Sequence, residues 1–408
     1  MEPSSAFTDP SPEFLRDPYL FYRMMHATDP VLQMPGLFGI GGWLVTSHAV
    51  CGAVLKDKRF GKEGDRVLSP EILAKIPSEN TELKERRKSN LLFRDPPDHT
   101  RLRGLVNQAF TPRTVERLRP HVEEIANGLI DAFAGSSRFD LLREFAFPLP
   151  VIVIAELLGV PAADREQFKI WSTDLTLGLN PGASVEDFQK VSVAIEAMSE
   201  YFNAIIDDRR KEPRADLISD LVRAQEAGDR MSQMELLSTC RLILTAGHET
   251  TVNLIGNGAL ALLSNPSAKD ALAADATLGA NAVEEMLRFD SPVQMTLRFA
   301  MEDGPLGDKQ CKRGDLVVLL LGAANRDPAH FPSPETFDIR RDNAHSHLSL
   351  GAGIHYCLGA PLARIEGQIA IGALLARLPK LALDGDAGPL VYRKNVVLRG
   401  LQSLPVTA

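Results

Sequence analysis

Apolar residues recur three and four positions apart along most of the chain, the signature of helices that bury one face. The pattern predicts helices near 98–110, 114–134, 143–158, 163–176, 186–211, 268–276 and 279–289. A short one begins around Asp17-Pro18 and runs through Tyr22 and Met25. Shorter apolar runs near 295–300 and 315–321 suit strands, and residues near 36–46 suit a hairpin. From about 60 to 96 the period is lost, as in a long loop with a short helix, a kind of segment that often carries function. Gly178-Leu179-Asn180-Pro181-Gly182 marks a turn.

One stretch differs. From about 232 to 264 there is no proline, and the residues are mostly apolar. As a helix it would span about 48 Å at 1.5 Å per residue. Arg241, His248, Glu249, Thr250 and Thr251 interrupt it, which excludes a plain membrane span and suggests a helix through the middle of a globule. A last helix is predicted from Cys357 to about 378, with Leu362, Ile365, Ile369 and Leu374 at helical spacing. The sum is a mainly α chain with small β sheets. One domain over 1–408 is expected, β-rich near 30–60, 295–321 and 385–405.

Composition narrows the function. The 408 residues carry 45 basic and 53 acidic side chains, a formal charge of -8. An acidic chain without a basic tract does not suit nucleic acid. The cluster Lys84-Glu85-Arg86-Arg87-Lys88 is short and mixed, and reads as a solvated face. The start shows no signal pattern, and no run of about 18 apolar residues suggests a membrane span, so a cytoplasmic monomer is expected. Cys51, Cys240, Cys311 and Cys357 lie far apart, which is not a disulfide framework.

Cys357 stands out. In Leu350-Gly351-Ala352-Gly353-Ile354-His355-Tyr356-Cys357-Leu358-Gly359, glycines allow tight turns and close approach to a flat ligand. The cysteine sits where the last helix is expected to start, a setting that stabilises a thiolate. A zinc site from His345, His347, His355 and Cys357 has plausible spacing too, but the chain has no Cys-x-x-Cys.

The loop resembles the haem-binding signature of the cytochrome P450 family, Phe-x-x-Gly-x-x-x-Cys-x-Gly, with Leu350 in the Phe position. That departure removes a ring near the thiolate and leaves ligation in place. Ala246-Gly247-His248-Glu249-Thr250-Thr251 is similar to the family's acid–alcohol motif. The resemblance implies that Cys357 ligates the iron of haem b, that Glu249 feeds protons, that Thr250 holds the activated oxygen, and that Ala246 lets the flat group lie close. Gly351 belongs to the ligand loop. His248 reads as structural or solvent-facing.

By the same resemblance His99, Arg103, Arg298 and His355 hold the haem propionates. Glu285 and Arg288, with Arg341 rather than Arg340, would lock the core, while Glu116-Arg117-Leu118-Arg119, at the same spacing, reads as a surface pair. Leu92, Val293, Met295 and Ala246 would line a substrate pocket, with loops near 60–95 and 175–186 as its lid. The implied activity is a monooxygenase that uses O2 to hydroxylate or epoxidise a hydrophobic small molecule such as a polyketide, macrolide, terpene or fatty acid. The chain carries no flavin, nicotinamide or iron–sulfur fingerprint, so a separate ferredoxin and its reductase would supply electrons, docking near Arg101, Arg113 and Arg364. A peroxide-driven haem–thiolate enzyme and a non-enzymatic haem sensor remain open alternatives.

Overall fold

Two capping boxes fix where the longest helices begin. Ser184 accepts from the backbone of Asp187, whose carboxylate accepts in return from Ser184, and helix Val185–Lys211 follows. Ser232 and Glu235 repeat the exchange at the head of helix Gln233–Leu263. Each box satisfies backbone donors that a helix start leaves free. The second helix has 31 residues, about 46 Å of rise. It is the central helix predicted from the sequence.

A computed structural model describes residues 5–35, 37, 40–73, 89–133, 135–226 and 231–408. The basic cluster at 84–88 and the side chain of Arg113 lie outside the described residues. The central helix packs against Pro148–Leu158, Arg165–Leu177, Val185–Lys211, Gly279–Phe289 and the last helix, Ala360–Arg377. Between them lies the largest core cluster, in which Ile130, Phe145, Phe202 and Ile255 are fully covered. Burying each such side chain contributes about 1.5–3 kcal/mol.

Prolines set three boundaries that the apolar period alone blurs. The helix expected over 114–134 is two, Pro112–Glu116 and Arg119–Phe133, with Pro120 in the first turn of the second. The helix expected over 143–158 opens as a π-turn, Leu142–Ala146, and Pro148 starts the α-helix. The last helix begins at Ala360, not at Cys357, with Gly359 as its cap and Pro361 in its first turn. Cys357 therefore stands in the turn before the helix.

Strands β1 (Val31–Met34) and β2 (Gly42–Val45) pair as a hairpin, its first strand lying ahead of the 36–46 stretch expected to form it. β3 is Phe60–Gly61, β4 Arg138–Asp140 and β5 Thr296–Ala300. β6 (Gly304–Leu306) and β7 (Lys309–Cys311) pair as a ribbon that leads to β8, Leu316–Leu319. The main sheet runs β1-β2-β8-β5-β3, parallel only between β2 and β8. β9 (Ala382–Leu383) and β10 (Pro405–Thr407) form a second sheet with β4. Alternation along β5 and β8 separates two further apolar clusters. Ala300, Val317 and Leu319 face one, and Leu297, Phe299 and Val318 face the other.

That alternation corrects one pocket residue. Met295 falls in step with Leu297 and Phe299, 2% exposed among Tyr19, Tyr22 and Leu44. Arg298 and Thr296 occupy the opposite parity. No helix among the described residues is long and apolar enough to cross a membrane.

Candidate functional site

The cysteine loop is shaped by glycines at two left-handed positions, φ +70° at Gly351 and +68° at Gly353. Gly353 is also pressed on helix His48–Lys56: a Cβ there would lie 2.2 Å from the carbonyl oxygen of Leu55. Cys357 N–H donates to the Leu350 carbonyl at 2.9 Å, closing the loop upon itself. Burial pushes the Cys357 thiol up, while backbone groups of Gly359 and Ala360 and the guanidinium groups of Arg103 and Arg364 act in the opposite direction. The other three cysteines are buried, and burial pushes Cys240 up to about 12.

Four basic side chains predicted as a group come together beside this loop. His99 and His355 stand with ring centroids 4.2 Å apart. Neither nitrogen of His99 nor Nε2 of His355 has a hydrogen-bond partner, although all are buried. Burial, then Arg298, His99, Lys62 and Arg103, hold the His355 ring down at about 2. Burial and Arg103 lower His99 as well. Arg298, 3% exposed, is pulled down to about 10 by burial, with Asp95 opposing. Its Nη1 reaches the Leu297 carbonyl at 2.8 Å. Arg103 donates to the Tyr356 carbonyl at 2.8 Å.

Such an arrangement is unfavourable alone. A buried and a half-buried cation lie close together, beside two buried rings whose unused nitrogens lack partners. An anion with several oxygen acceptors would relieve both defects. The orphaned nitrogens beside a cysteine turn that admits close approach thus fit a group carrying carboxylates at its edge. A zinc arrangement finds no support in geometry: His347 Nε2 is 3.1 Å from Glu284, its Nδ1 accepts from Ser349 N–H, and no three His, Cys, Asp or Glu side chains gather as a metal site among the described residues.

The central helix leaves one narrow face uncovered. Ala246 is exposed and Thr250 half-buried, one turn apart, while Ile243, Leu244, Val252 and Leu254 are buried. Thr250 Oγ1 donates to the Ala246 carbonyl at 2.7 Å, and Thr251 Oγ1 to that of Gly247 at 3.1 Å, bonds of the kind that bend helices. Glu249 points elsewhere. Its carboxylate accepts from Thr173 Oγ1 at 3.1 Å and from Arg393 Nη1 at 2.5 Å. His248 is not solvent-facing: it is 1% exposed, with Nδ1 2.9 Å from Ser172 Oγ and its ring edge-on to Phe147.

Glu285, Arg288 and Arg341 form a buried triad. Arg288 donates to Glu285 at 2.7 and 2.8 Å, and Arg341 Nε at 3.3 and 3.2 Å. Their remaining donors reach the carbonyls of Asn325, Pro332, Pro334 and Thr336. Arg340 is exposed and takes no part. Arg119 does pair with Glu116 at the surface, at 2.6 Å.

Two expectations for the surroundings change. Leu92 is 36% exposed, Val293 packs on the cluster beside β8, and Met295 belongs to the other apolar cluster. The supposed docking cations are engaged within the chain: Arg101 pairs with Asp98 and Glu235, and Arg364 with Glu284 and the Tyr356 hydroxyl. Sequence reasoning missed Thr173, Arg393 and Glu366. Glu366 lies in the last helix, 1% exposed, with neither oxygen bonded, and burial pushes it up to about 8. A charged residue at a core-facing helical position was its only signal.

The sequence model of the Cytochrome P450 family matches residues 71–403. The cytochrome P450 monooxygenase PikC of Streptomyces venezuelae is 44% identical over 97% of this chain and 92% of its own length. The vitamin D(3) 25-hydroxylase of Pseudonocardia autotrophica is 42% identical, over 97% and 94%. Among solved structures, P450BioI in complex with an acyl carrier protein bearing hexadec-9Z-enoic acid superposes with a TM-score of 0.90 at 40% identity, covering 98% of this chain and all of that one.

Proposed function

The chain belongs to the cytochrome P450 family and is a monooxygenase with haem iron as its cofactor, and from that premise we propose how its own residues serve the reaction. Cys357 would hold the haem iron through its thiolate, and the group bound would be haem b. Haem held there supplies the binding and reductive activation of O2, with electron density pushed from the thiolate. The observation that carries this reading is the set beside the cysteine turn: His99 and His355 hold buried ring nitrogens without partners, Arg298 and Arg103 stand next to them, and two propionates answer that set.

Ala246 leaves the helix backbone open to a flat neighbour, and Gly351 lets the ligand loop turn. Thr250 presents its hydroxyl on that open face, held by the Ala246 carbonyl. Glu249, one residue away and nearly excluded from water, relays protons toward Thr250. Glu285, Arg288 and Arg341 keep the segment before the cysteine loop in place and touch no reactant.

The substrate is a hydrophobic small molecule, hydroxylated or epoxidised, of polyketide, macrolide, terpene or fatty-acid type. The relatives named for polyketide, vitamin D and biotin pathways support that range. Electrons come from a separate ferredoxin and reductase. The protein acts as a cytoplasmic monomer of one domain.

The test is the reduced, carbon monoxide-bound difference spectrum of the parent and of Cys357→Ser. The parent should show the strongly red-shifted band of thiolate ligation, and the variant should lose it. A parent band of histidine-ligated type would overturn the ligand assignment. Replacing Thr250 with Ala then separates monooxygenase from sensor: coupled product should fall by roughly a hundredfold and peroxide rise, the scale of a lost proton-transfer group.

A further inference from the structure

The Glu249 carboxylate is 2% exposed, yet its ion-pair partner Arg393 is 31% exposed. A buried acid thus meets, at 2.5 Å, a cation that reaches solvent. The other donor, Thr173, comes from helix Arg165–Leu177. Both donors are braced. Arg393 N–H donates to the Gly400 carbonyl at 2.9 Å. Asn395 accepts from the backbone of Val397 and Leu398 at 2.9 Å, and donates to the Thr176 carbonyl at 3.4 Å. The segment that carries Arg393 is therefore bonded to the helix that carries Thr173.

The central helix is built to receive that segment. Glu249, Asn253 and Asn257 follow at four-residue steps, one helical face. Asn257 donates to the Arg399 carbonyl at 3.0 Å. Asn253 lies so close to Gly400 that a Cβ there would fall 1.9 Å from its Oδ1. Its Nδ2 is buried with no partner. A narrow cavity between the amino-terminal residues Phe14, Leu15 and Tyr22 and the carboxy-terminal segment is bordered by Arg393 and Gly400.

We propose that Arg393 is a positioning residue for the monooxygenase reaction: it fixes the direction and charge of the Glu249 carboxylate and joins that buried acid to solvent through the turn at 393–400. The proposal rests on the proton-relay reading of Glu249. Arg393 stays cationic throughout and exchanges no proton itself. The guanidinium places a cation against a buried carboxylate. Removing it takes away the charge that offsets burial, which in the variant favours the protonated form. The groups facing the acid are Arg393 and Thr173, with His248, and Lys169 beyond it, on the neighbouring side.

The experiment compares the haem-loaded parent with Arg393→Gln, Arg393→Lys, Glu249→Gln and, as a surface control, Lys394→Ala. Arg393→Gln should lose roughly ten- to a hundredfold in coupled product, the worth of one hydrogen bond to a charged group, and Arg393→Lys should regain most of it. Infrared difference spectra across a pH titration give a readout apart from turnover. The band of a buried protonated carboxyl should appear at higher pH in Arg393→Gln, and vanish in Arg393→Gln/Glu249→Gln. Parent-like coupling in Arg393→Gln, or an unmoved band, overturns the proposal. Parent-like coupling in Glu249→Gln sinks the relay reading instead, and the infrared titration still decides whether Arg393 sets that carboxyl's charge.

Discussion

His99 and His355 face each other with ring centroids 4.2 Å apart, and His99 uses neither ring nitrogen in a hydrogen bond. Two neutral imidazoles so placed can each donate to an oxygen brought between them and the arginines. Retention of haem is the property they should control. Arg298→Leu is expected to speed haem loss to a scavenging protein by roughly ten- to a hundredfold, the value of one hydrogen bond to a charged group. His99→Phe should act in the same direction. Unchanged transfer rates in both would remove these residues from the propionate assignment.

The Glu285 triad allows a sharp contrast. Glu285 and Arg288 have fully buried side chains. Glu285→Gln removes the charge that compensates two cations, and should cost about 3–5 kcal/mol in denaturant unfolding. Arg341→Ala should cost several times more than Arg340→Ala, which is expected within about 0.5 kcal/mol of the parent. Equal costs at 340 and 341 would contradict the geometry.

Glu366 gives a pH dependence with a definite sign. Burial raises its carboxyl from 4.5 to about 8 in the folded protein. The folded state then holds the proton more tightly than the unfolded chain. Stability conferred by the neutral acid is full below about 4.5 and declines as pH rises toward 8. Glu366→Gln keeps the neutral form. It should match the parent near pH 4.5 and exceed it near pH 8 by a few kcal/mol, because each tenfold gain in proton affinity on folding is worth about 1.4 kcal/mol. Parallel pH–stability curves would show that Glu366 is charged in the folded state.

Two glycines separate strain from propensity. A Cβ at Gly353 would meet the Leu55 carbonyl at 2.2 Å in a left-handed backbone. Gly353→Ala should cost about 1–3 kcal/mol and reduce haem incorporation. Gly372, in the last helix, has nothing within 4 Å of a Cβ. Gly372→Ala should stabilise by about 0.5–1 kcal/mol. Thermal unfolding with haem content measured on the same samples tests both.

Much of the fold is readable in the chain because local rules carry it. The proline-free apolar run from about 232 to 264 announces the central helix, and the short apolar run near 295–300 announces β5. The order of the Glu249–Thr250, Glu285–Arg288 and Cys357 motifs points to the family. What escapes depends on distant partners. Glu249 meets Arg393 across 144 positions, and Arg101 meets Glu235 across 134. No spacing rule covers such pairs, so Arg393 goes unnoticed in the sequence and Arg101 reads there as a free docking charge. Met295 is misplaced for a simpler reason: parity along one strand decides a face, and a shift of one residue reverses it. The pattern of Leu362 and Ile365 extends backward to Cys357, whereas Gly359 and Pro361 end the helix before it.

Gly353 rests on the carbonyl of Leu55, the penultimate residue of a helix in the β-rich part of the chain. The sulfur of Cys357 is thereby registered to that part as well as to the helix that follows it. In mechanical terms the loop is clamped at both ends between bodies of different construction. A substitution in the apolar cluster behind Leu55, far from any reactant, should therefore be felt as a displacement of the sulfur relative to Thr250.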